Sequence, residues 1–323
     1  MKKIAVFTSG GDAPGMNACI RAVVRTALFH NIEIVGIIHG YNGMIAGDFI
    51  PMDTRSVSNI IQRGGTILKT SRSAEFLTVD GRKKAYDNLV KQNIEGIICI
   101  GGNGTFAGAK QFFEEFGIPS IGAPGTIDND LYGTDESIGF DTAVNTAMEA
   151  IDKIRDTAES HERAFFIEVM GRHAGFIALA CGIAGGAEVI LIPEQKHEWT
   201  KLKHHFAGKN KTKKSVSIVV VAEGDEQGGA MKIVEHLKEF IPDFDPRVTI
   251  LGHIQRGGSP TAFDRLLASR LGNAAMEALL RGEKNKMVGM VDNKIVLTSY
   301  DDAINKTKPL NAESLRLVDV FNV

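Results

Sequence analysis

The chain has 323 residues. A single hydrophobic core seldom supports a chain of this length, so the length predicts two domains. Its 37 Lys and Arg residues nearly balance 39 Asp and Glu residues, and this formal charge of −2 argues against a nucleic-acid or membrane-surface protein. The N-terminus leads directly into a short apolar strand, and no apolar run reaches the roughly 18 residues of a membrane span. We therefore expect a cytoplasmic location, with neither membrane nor nucleic acid as a partner.

Short β-rich runs alternate with longer helical patterns, which predicts an α/β fold with parallel sheets and helices on both faces. The predicted strands are 4–8, 32–38, 94–100, 120–123, 164–170, 188–192, 216–222 and 248–252. After the first strand, residues 16–28 carry one apolar stripe, which places Arg21 and Arg25 together on the opposite, solvated face. No linker separates two halves, so we expect the two domains to be interleaved.

Three isolated cysteines, Cys19, Cys99 and Cys181, each lie in an apolar stretch. They lack the paired spacing of a zinc site or a disulfide framework. We interpret them as small core residues.

A glycine-rich segment, TSGGDAPGMN at residues 8–17, follows the first strand and leads into the first helix. Such a turn can accept an anion through backbone N–H groups, because glycines permit close approach and a helix N-terminus follows. The segment also fits an ordinary strand-to-helix turn.

A second glycine-rich segment, GGNGTFAG at residues 101–108, also leads from a strand into a helix. Its spacing weakly resembles a dinucleotide fingerprint, so an NAD-binding oxidoreductase is one interpretation. That interpretation requires an acidic residue closing the next strand, which instead ends in PGTIDND at 124–130. No GxxxxGK[ST] motif occurs in the chain, which excludes a P-loop kinase.

The PGTIDND segment is the strongest chemical signal. If it is extended, Asp128 and Asp130 project to the same side, about 7 Å apart along the chain. One carboxylate could then accept a proton from a sugar hydroxyl while the other faces magnesium. The alternative is a turn in which Asp and Asn make local hydrogen bonds.

Three arginines lie beside predicted strand ends and glycines in the second half of the chain: Arg172, Arg247 and Arg256. Their guanidinium groups suit a sugar phosphate, although a single arginine is more often a solvated surface residue.

Together these segments resemble the phosphofructokinase family, specifically its short bacterial ATP-dependent form. The matching segments are TSGGDAPGMN at 8–17, NIIQRGGTIL at 59–68, GGNGTF at 101–106, PGTIDND at 124–130, VMGRHAG at 169–175, IAGGAE at 183–188 and LGHIQRGGSP at 251–260. The resemblance implies two interleaved three-layer αβα domains with mostly parallel sheets. An ATP-binding domain would comprise 1–138 plus 251–301, and a fructose 6-phosphate-binding domain 139–250 plus 302–323.

The resemblance also implies a reaction, phosphorylation of fructose 6-phosphate by ATP in glycolysis, with Asp128 as general base. The implied ATP-binding residues are Gly11, Arg72, Ser73, Gly102, Asn103, Gly104 and Thr105. The implied sugar-phosphate residues are Thr126, Ile127, Asp128, Met170, Gly171, Arg172, Glu223, His253 and Arg256. Gly11, Thr126 and Arg172 would also serve catalysis, Arg172 by stabilising the phosphoryl group in transfer. Arg163 and Arg247 match residues that the family contributes from a neighbouring subunit, which implies a homotetramer.

An effector pocket for ADP or phosphoenolpyruvate is implied by matches at Arg21, Arg25, Arg155, Gly186, Glu188 and Lys214. Thr54 and Thr212 stand where bacterial members commonly carry basic side chains, so the sign and strength of regulation stay open.

The metal site departs from the family pattern. Mg²⁺ is expected near Asn103 and Asp130, but the family usually has an aspartate where this chain has Asn103. An amide would help to hold the ion with one negative charge fewer, so we expect weaker metal affinity. A catalytically weak regulatory paralogue is therefore a second hypothesis.

The phosphoryl donor is also suggested by the glycine loops. Pyrophosphate-using relatives tend to carry aspartate at the position of Gly104 and lysine at that of Gly125. Both are glycine here, which favours ATP, with pyrophosphate as the alternative donor.

Overall fold

The computed structural model describes residues 1–161, 163–196, 199–209, 217–226 and 228–321. These residues form two compact units, each built from separate stretches of chain. The first unit comprises Met1–Ile127, Leu131–Thr142 and Arg256–Lys308. The second comprises Asp128–Asp130, the described residues of Ala143–Gln255, and those from Pro309 onward. The assignment of ATP to one domain and sugar phosphate to the other stays a prediction.

The strands of the described residues fall into one sheet in each unit. In chain order they are β1 (Lys3–Thr8), β2 (Glu33–Ile37), β3 (Phe49–Pro51), β4 (Ile97–Gly101), β5 (Ser120–Pro124), β6 (Ala164–Val169), β7 (Val189–Leu191), β8 (Ser217–Ala222), β9 (Arg247–Ile250), β10 (Lys286–Val291) and β11 (Lys294–Ser299). The first unit holds a seven-stranded sheet in the order β11-β10-β5-β4-β1-β2-β3, and the second a four-stranded sheet in the order β7-β8-β6-β9.

Both sheets are mostly parallel. Among the strands of the described residues, only the β10–β11 and β2–β3 pairs are antiparallel, at the two ends of the larger sheet. The central strands β4 and β8 are buried along their whole length, as expected of parallel strands covered on both faces. The predicted α/β class with mostly parallel sheets is thus confirmed.

The α-helices of the described residues follow or precede these strands. They are α1 (Met16–Phe29), α2 (Tyr41–Ala46), α3 (Val79–Lys91), α4 (Asn103–Phe116), α5 (Phe140–His161), α6 (Phe176–Ala184), α7 (Trp199–Lys209), α8 (Gly229–Phe240), α9 (Ala262–Leu280), α10 (Tyr300–Asn305) and α11 (Ala312–Phe321). Short 3-10 helices form at Glu75–Leu77 and Gly252–Arg256. In α1 the predicted stripe is buried except for Leu28, which is half-buried. Arg21 is also half-buried, and Arg25 is exposed.

Each unit has its own apolar core. In the first unit aromatic rings join the sheet to its helices, with Tyr41 stacked on Phe76 at a centroid distance of 3.9 Å and Phe106 on Tyr300 at 5.3 Å. In the second unit β6 and β8 pack against α7 and α8, where Phe166 meets Phe206. Aromatic pairs of this kind add to the stabilisation from apolar burial.

Sequence patterns missed three strands, although every predicted strand overlaps an observed one. β3 has three residues, too few to show a period. β10 and β11 form a hairpin whose two-residue turn, Asp292–Asn293, has positive φ at both positions. Asp-Asn between two apolar runs is typical of a two-residue hairpin turn, because both positions of such a turn need residues that tolerate positive φ. The sequence therefore contained a signal for this hairpin.

The cysteine prediction is confirmed. Cys19, Cys99 and Cys181 are buried free thiols, and burial raises the pKa of each to about 12. No helix in the described ranges is both long and apolar enough to span a membrane.

Candidate active site

In the first unit the glycine loop at 8–17 joins β1 to α1. Gly10 and Gly15 have φ of 88° and 106°, a left-handed region that favours glycine. A Cβ on Gly11 would lie 2.3 Å from Nη1 of Arg256. The guanidinium, which donates to the Asp12 carbonyl oxygen at 3.4 Å, therefore lies directly against this backbone. The structure thus brings together two predicted site residues, Gly11 and Arg256, that are far apart in sequence.

This loop is held in place by the neighbouring segment 63–70. The Asn17 amide donates to the Arg63 and Gly64 carbonyl oxygens, and its Oδ1 accepts from the Ile67 N–H at 2.8 Å. The Thr70 hydroxyl donates to the Gly10 carbonyl oxygen at 2.6 Å. In the sequence, residues 59–68 were identified only by their resemblance to the phosphofructokinase family. No role was predicted for Asn17 or Thr70.

The second glycine loop forms the N-terminus of α4. Gly102 precedes the helix, and its carbonyl oxygen accepts from the Thr105 and Phe106 N–H groups. Backbone N–H groups of a first helical turn point out of the helix end and favour an anion there. A Cβ on Gly104 would meet no atom within 4 Å, so open space lies beside this turn. Thr105 Oγ1 donates to the Ser9 carbonyl oxygen at 3.2 Å, which links the two glycine loops.

Arg72 and Ser73 lie on a segment tied to α2. The Asn42 amide donates to Ser71 Oγ at 2.9 Å and to the Arg72 carbonyl oxygen at 3.0 Å. Ser73 Oγ accepts from the Phe76 N–H, and the Arg72 side chain is exposed.

Tyr41 connects this segment to the α4 loop. Its ring stacks on Phe76, and its hydroxyl donates to the Thr105 carbonyl oxygen at 2.6 Å. The sequence offered no signal for Tyr41, because its partners lie 35 and 64 residues away.

The PGTIDND segment is a turn, so of the two forms that the sequence left open, the extended one is wrong. Gly125 continues β5 through a bridge to Ile138, after which the chain turns at Ile127 and Asp128. Asn129 then has φ of 54°. A left-handed residue between the two carboxylates breaks the period-two alternation on which the same-side prediction for Asp128 and Asp130 rested.

The surroundings of this turn differ from residue to residue. Ile127 is fully buried and Asp128 is only 7 % exposed, whereas Thr126 and Asp130 are half-buried. The Thr126 carbonyl oxygen accepts from the Ser137 hydroxyl at 2.6 Å. A Cβ on Gly102 would lie 3.6 Å from the Thr126 Cβ, so the turn begins next to the α4 loop. A Cβ on Gly125 would lie 3.0 Å from Ile100 Cγ2, which is a packing reason for that glycine.

In the second unit Met170, Gly171 and Arg172 form the turn after β6. Gly171 and Arg172 have φ of 146° and 57°, and the arginine value is unusual for a residue with a side chain. Glu223 Oε1 accepts from the Arg172 N–H at 2.8 Å, which supports this backbone, and the arginine side chain is exposed. The structure therefore brings the predicted residues Glu223 and Arg172 together.

Gln255 supports the same turn. Its side chain is fully buried, and its Oε1 accepts from the Met170 N–H at 2.8 Å. Sequence reasoning named His253 and Arg256 but passed over Gln255; His253 is exposed.

Arg163 and Arg247 meet at Asp245. The Arg247 guanidinium lies 2.6 Å from Asp245 Oδ1, and Arg163 Nη2 lies 3.4 Å from Oδ2. Arg247 is the main cause that holds the pKa of the Asp245 carboxyl below its usual value. Both arginine side chains are at least 40 % exposed, so they face outward from their unit.

Of the predicted effector residues, Arg155 and Gly186 lie together. The Arg155 guanidinium donates to the Gly185 and Gly186 carbonyl oxygens, and Gly186 has φ of 58°. Glu188 Oε2 accepts from the Ile218 N–H at 2.7 Å. Arg21 and Arg25 belong to the first unit, and Lys214 and Thr212 lie outside the described residues.

Relatives of this chain match it over nearly its whole length. The chain is 59% identical over 321 residues to the ATP-dependent 6-phosphofructokinase 1 of Thermus thermophilus, with 99% of each chain covered. It is 57% identical to the ATP-dependent 6-phosphofructokinase of Cytophaga hutchinsonii, with 100% of this chain and 98% of that protein covered. Among solved structures, the phosphofructokinase of Saccharomyces cerevisiae superimposes with a TM-score of 0.88 at 34% identity. That match covers 100% of this chain and 47% of the yeast chain.

The phosphofructokinase family model matches residues 3–279. The match spans both glycine loops, the PGTIDND turn and the three arginine segments, and it overturns the interpretation as an NAD-binding oxidoreductase. Together with the full-length relatives, it shows that this chain belongs to the phosphofructokinase family.

Proposed function

We propose that this chain is an ATP-dependent 6-phosphofructokinase, which converts D-fructose 6-phosphate and ATP to fructose 1,6-bisphosphate and ADP in glycolysis. The relatives at 57% and 59% identity are named for this reaction. The observation that carries the proposal is local: the N-terminus of α4, with open space beside Gly104, lies next to Thr126 at the start of the Asp128 turn. Backbone N–H groups that can bind a phosphate thus lie next to Thr126, the residue from which the chain runs on to Asp128.

In the proposed reaction Asp128 removes the proton from the sugar 1-hydroxyl as that oxygen attacks the γ-phosphorus. The bond from the γ-phosphorus to the β,γ-bridging oxygen breaks in line, and ADP leaves. Backbone N–H groups at Gly11 and in the α4 loop bind phosphate oxygens, and Arg172 stabilises the charge that develops in transfer. The nucleotide is bound by Arg72 and Ser73. The sugar phosphate is bound by Thr126, Ile127, Met170, Gly171, Glu223, His253 and Arg256.

Mg²⁺ is the proposed metal. Asn103 and Asp130 offer amide and carboxylate oxygens, the hard ligands that this ion takes. Within the described ranges no three His, Cys, Asp or Glu side chains converge on a metal position. Magnesium in nucleotide sites commonly keeps several waters and binds one or two protein oxygens plus phosphate oxygens, and Asn103 with Asp130 would fit that pattern. The bound ion would neutralise charge on the phosphates.

A coupled assay with fructose 6-phosphate and magnesium, offered ATP or pyrophosphate in parallel, tests this function. We expect turnover with ATP, and Asp128→Asn should lower kcat by about 10²–10⁴ because it lacks the base. Asp80→Asn, an exposed residue in the first turn of α3, is the matched control and should keep wild-type turnover. Turnover with pyrophosphate but not with ATP would show that pyrophosphate is the phosphoryl donor. Sugar binding without turnover would favour the hypothesis of a regulatory paralogue.

We also propose a homotetramer. β9 is an edge strand of its sheet and carries Arg247, and Ile250 on this strand is 55 % exposed. An exposed sheet edge with an apolar side chain and outward arginines fits a contact with a second copy of the chain. We assign Arg163 and Arg247 to the sugar-phosphate site of that neighbour, as the family resemblance implies.

Regulation by ADP or phosphoenolpyruvate is proposed through Arg21, Arg25, Arg155, Gly186, Glu188 and Lys214. Support comes from the Arg155–Gly186 contact and from the arginine pair on the solvated side of α1. The same coupled assay, run with each effector added, should show a shifted fructose 6-phosphate saturation curve; a curve that neither compound moves contradicts the proposal. A cytoplasmic location stays a prediction.

A further inference from the structure

Asp264 is a buried carboxylate that the proposed chemistry does not use. It lies in the first turn of α9 and is 0 % exposed. An acidic residue in a first turn ordinarily interacts with the N-terminus of its own helix. Here the side chain instead accepts hydrogen bonds from a distant segment, 122 to 125 residues earlier in the chain.

The contacts of this carboxylate are specific. Oδ1 accepts from the Gly139 N–H at 2.8 Å, and Oδ2 accepts from the Thr142 N–H at 2.8 Å and from the Thr142 hydroxyl. The pKa of the Asp264 carboxyl is raised to about 6, chiefly by burial and to a smaller extent by the nearby Asp141, against the lowering effect of the three donated hydrogen bonds. At pH 8 the group is therefore ionised and can accept all three bonds.

The segment that Asp264 holds lies against the glycine loop at 8–17 and against the start of the PGTIDND turn. Gly139 has φ of 101°, and a Cβ there would lie 2.7 Å from the Ala13 Cβ in the glycine loop. The Ile138 N–H donates to the Pro124 carbonyl oxygen at 2.9 Å, and the Ser137 hydroxyl donates to that of Thr126 at 2.6 Å. Two residues after Thr126 the same turn presents Asp128.

We propose that Asp264 is a positioning residue for phosphoryl transfer: by anchoring residues 137–142 it fixes the backbone of the Pro124–Asp128 turn and so the placement of the proposed base. This inference rests on the proposed function for its kinetic consequence. Small displacements of a base from the hydroxyl whose proton it removes are costly, because proton transfer and in-line attack both depend on alignment. A purely structural role would lower stability and leave the kcat of the folded enzyme unchanged.

Asp264→Asn is the primary variant, since the amide preserves size but replaces one acceptor oxygen with a donor that faces N–H groups. At pH 8 we expect kcat to fall at least about tenfold, with KM for ATP within about threefold of wild type. Ser137→Ala, which removes the link to Thr126, should lower kcat in the same direction. The double variant should lose less than the product of the two single losses, because both act through one segment.

Tyr300→Phe is the matched control. It removes a buried hydrogen bond between Tyr300 and Ser120, two residues of the same unit that lie outside the 137–142 segment. It should lower the melting temperature but leave kcat unchanged. Equal kcat in wild type, Asp264→Asn and Ser137→Ala would overturn the proposal. If Asp264→Asn does not fold, Ser137→Ala decides the kinetic outcome.

Amide hydrogen exchange provides a readout that does not depend on turnover. Peptides covering 124–139 should exchange faster in Asp264→Asn or Ser137→Ala than in wild type, and at the wild-type rate in Tyr300→Phe. An inactive wild type with this exchange pattern would refute the proposed function and its kinetic consequence, and would retain only the anchoring of the turn by Asp264. Unchanged exchange in an active wild type would refute the positioning role alone.

Discussion

At the scale of single residues, the proposed chemistry depends on backbone geometry that side-chain identity alone does not reveal. Arg172 has φ of 57° and is supported by the Glu223 carboxylate, while Asn129 has φ of 54° between two aspartates. Conformations of this kind cost energy in residues with side chains and persist where neighbours hold them. Both lie in segments to which we assign sugar-phosphate binding or catalysis.

Asn103 provides a residue-scale prediction. Asn103→Asp adds a carboxylate at the first residue of α4, where negative charge is favourable and magnesium gains a harder ligand. We expect the magnesium concentration for half-maximal rate to fall by roughly tenfold, about 1.4 kcal/mol in metal binding. The coupled assay with a magnesium titration measures it. Gln111→Glu makes the same charge change on an exposed position of α4 and should leave the curve unmoved. Superimposable curves for wild type and Asn103→Asp would contradict the role of Asn103.

At the scale of elements, the N-terminus of α4 is proposed as the phosphate site because its first turn faces open space at Gly104. The rest of the loop is tied down by Tyr41 and by the contact between Thr105 and Ser9. Rigid support with one open side is what a binding loop requires, since little ordering remains to be done when the nucleotide arrives.

Gly104→Asp should raise KM for ATP at least about tenfold, because a carboxylate there repels the phosphates and competes for the same N–H groups. Gly104→Ala is the control: its methyl group enters open space, so we expect KM within about threefold of wild type. Steady-state kinetics over a range of ATP concentrations measures both. A similar rise in the two variants would indicate that space, not charge, is limiting at this position.

At the scale of the whole molecule, the homotetramer proposal predicts complementation between inactive chains. Asp128→Asn and Arg247→Ala should each be nearly inactive alone. When co-expressed, they should form sites that take Asp128 from one chain and Arg247 from another, up to about one-quarter of all sites. The measured quantity is kcat of the mixed protein relative to its parents.

Asp128→Asn mixed with Arg172→Ala is the control, because the resemblance assigns both residues to the same subunit of a site. This mixture should stay inactive. Activity restored equally in both mixtures, or in neither, would argue against a site shared through Arg247. Light scattering should give four times the 34.9 kDa chain mass.

Much of the fold and part of the site could be read from local patterns. Strand alternation, the α1 stripe and the two glycine loops each depend on residues within one element, and the structure has the predicted strands and the predicted helix. The β10–β11 hairpin was missed although its Asp292–Asn293 turn carried a signal. The extended form of PGTIDND was wrong because a left-handed residue at Asn129 depends on the surroundings of the turn.

The sequence by itself determined the α/β class, the family and the short list of candidate chemical groups, because these reside in periodicity and in collinear motifs. Only the tertiary structure decided which distant residues support them: Arg256 against Gly11, Tyr41 under the α4 loop, and Asp264 on the segment beside the Asp128 turn. Such contacts join residues tens to hundreds of positions apart. Their geometry arises from packing of whole elements, and no local pattern encodes it.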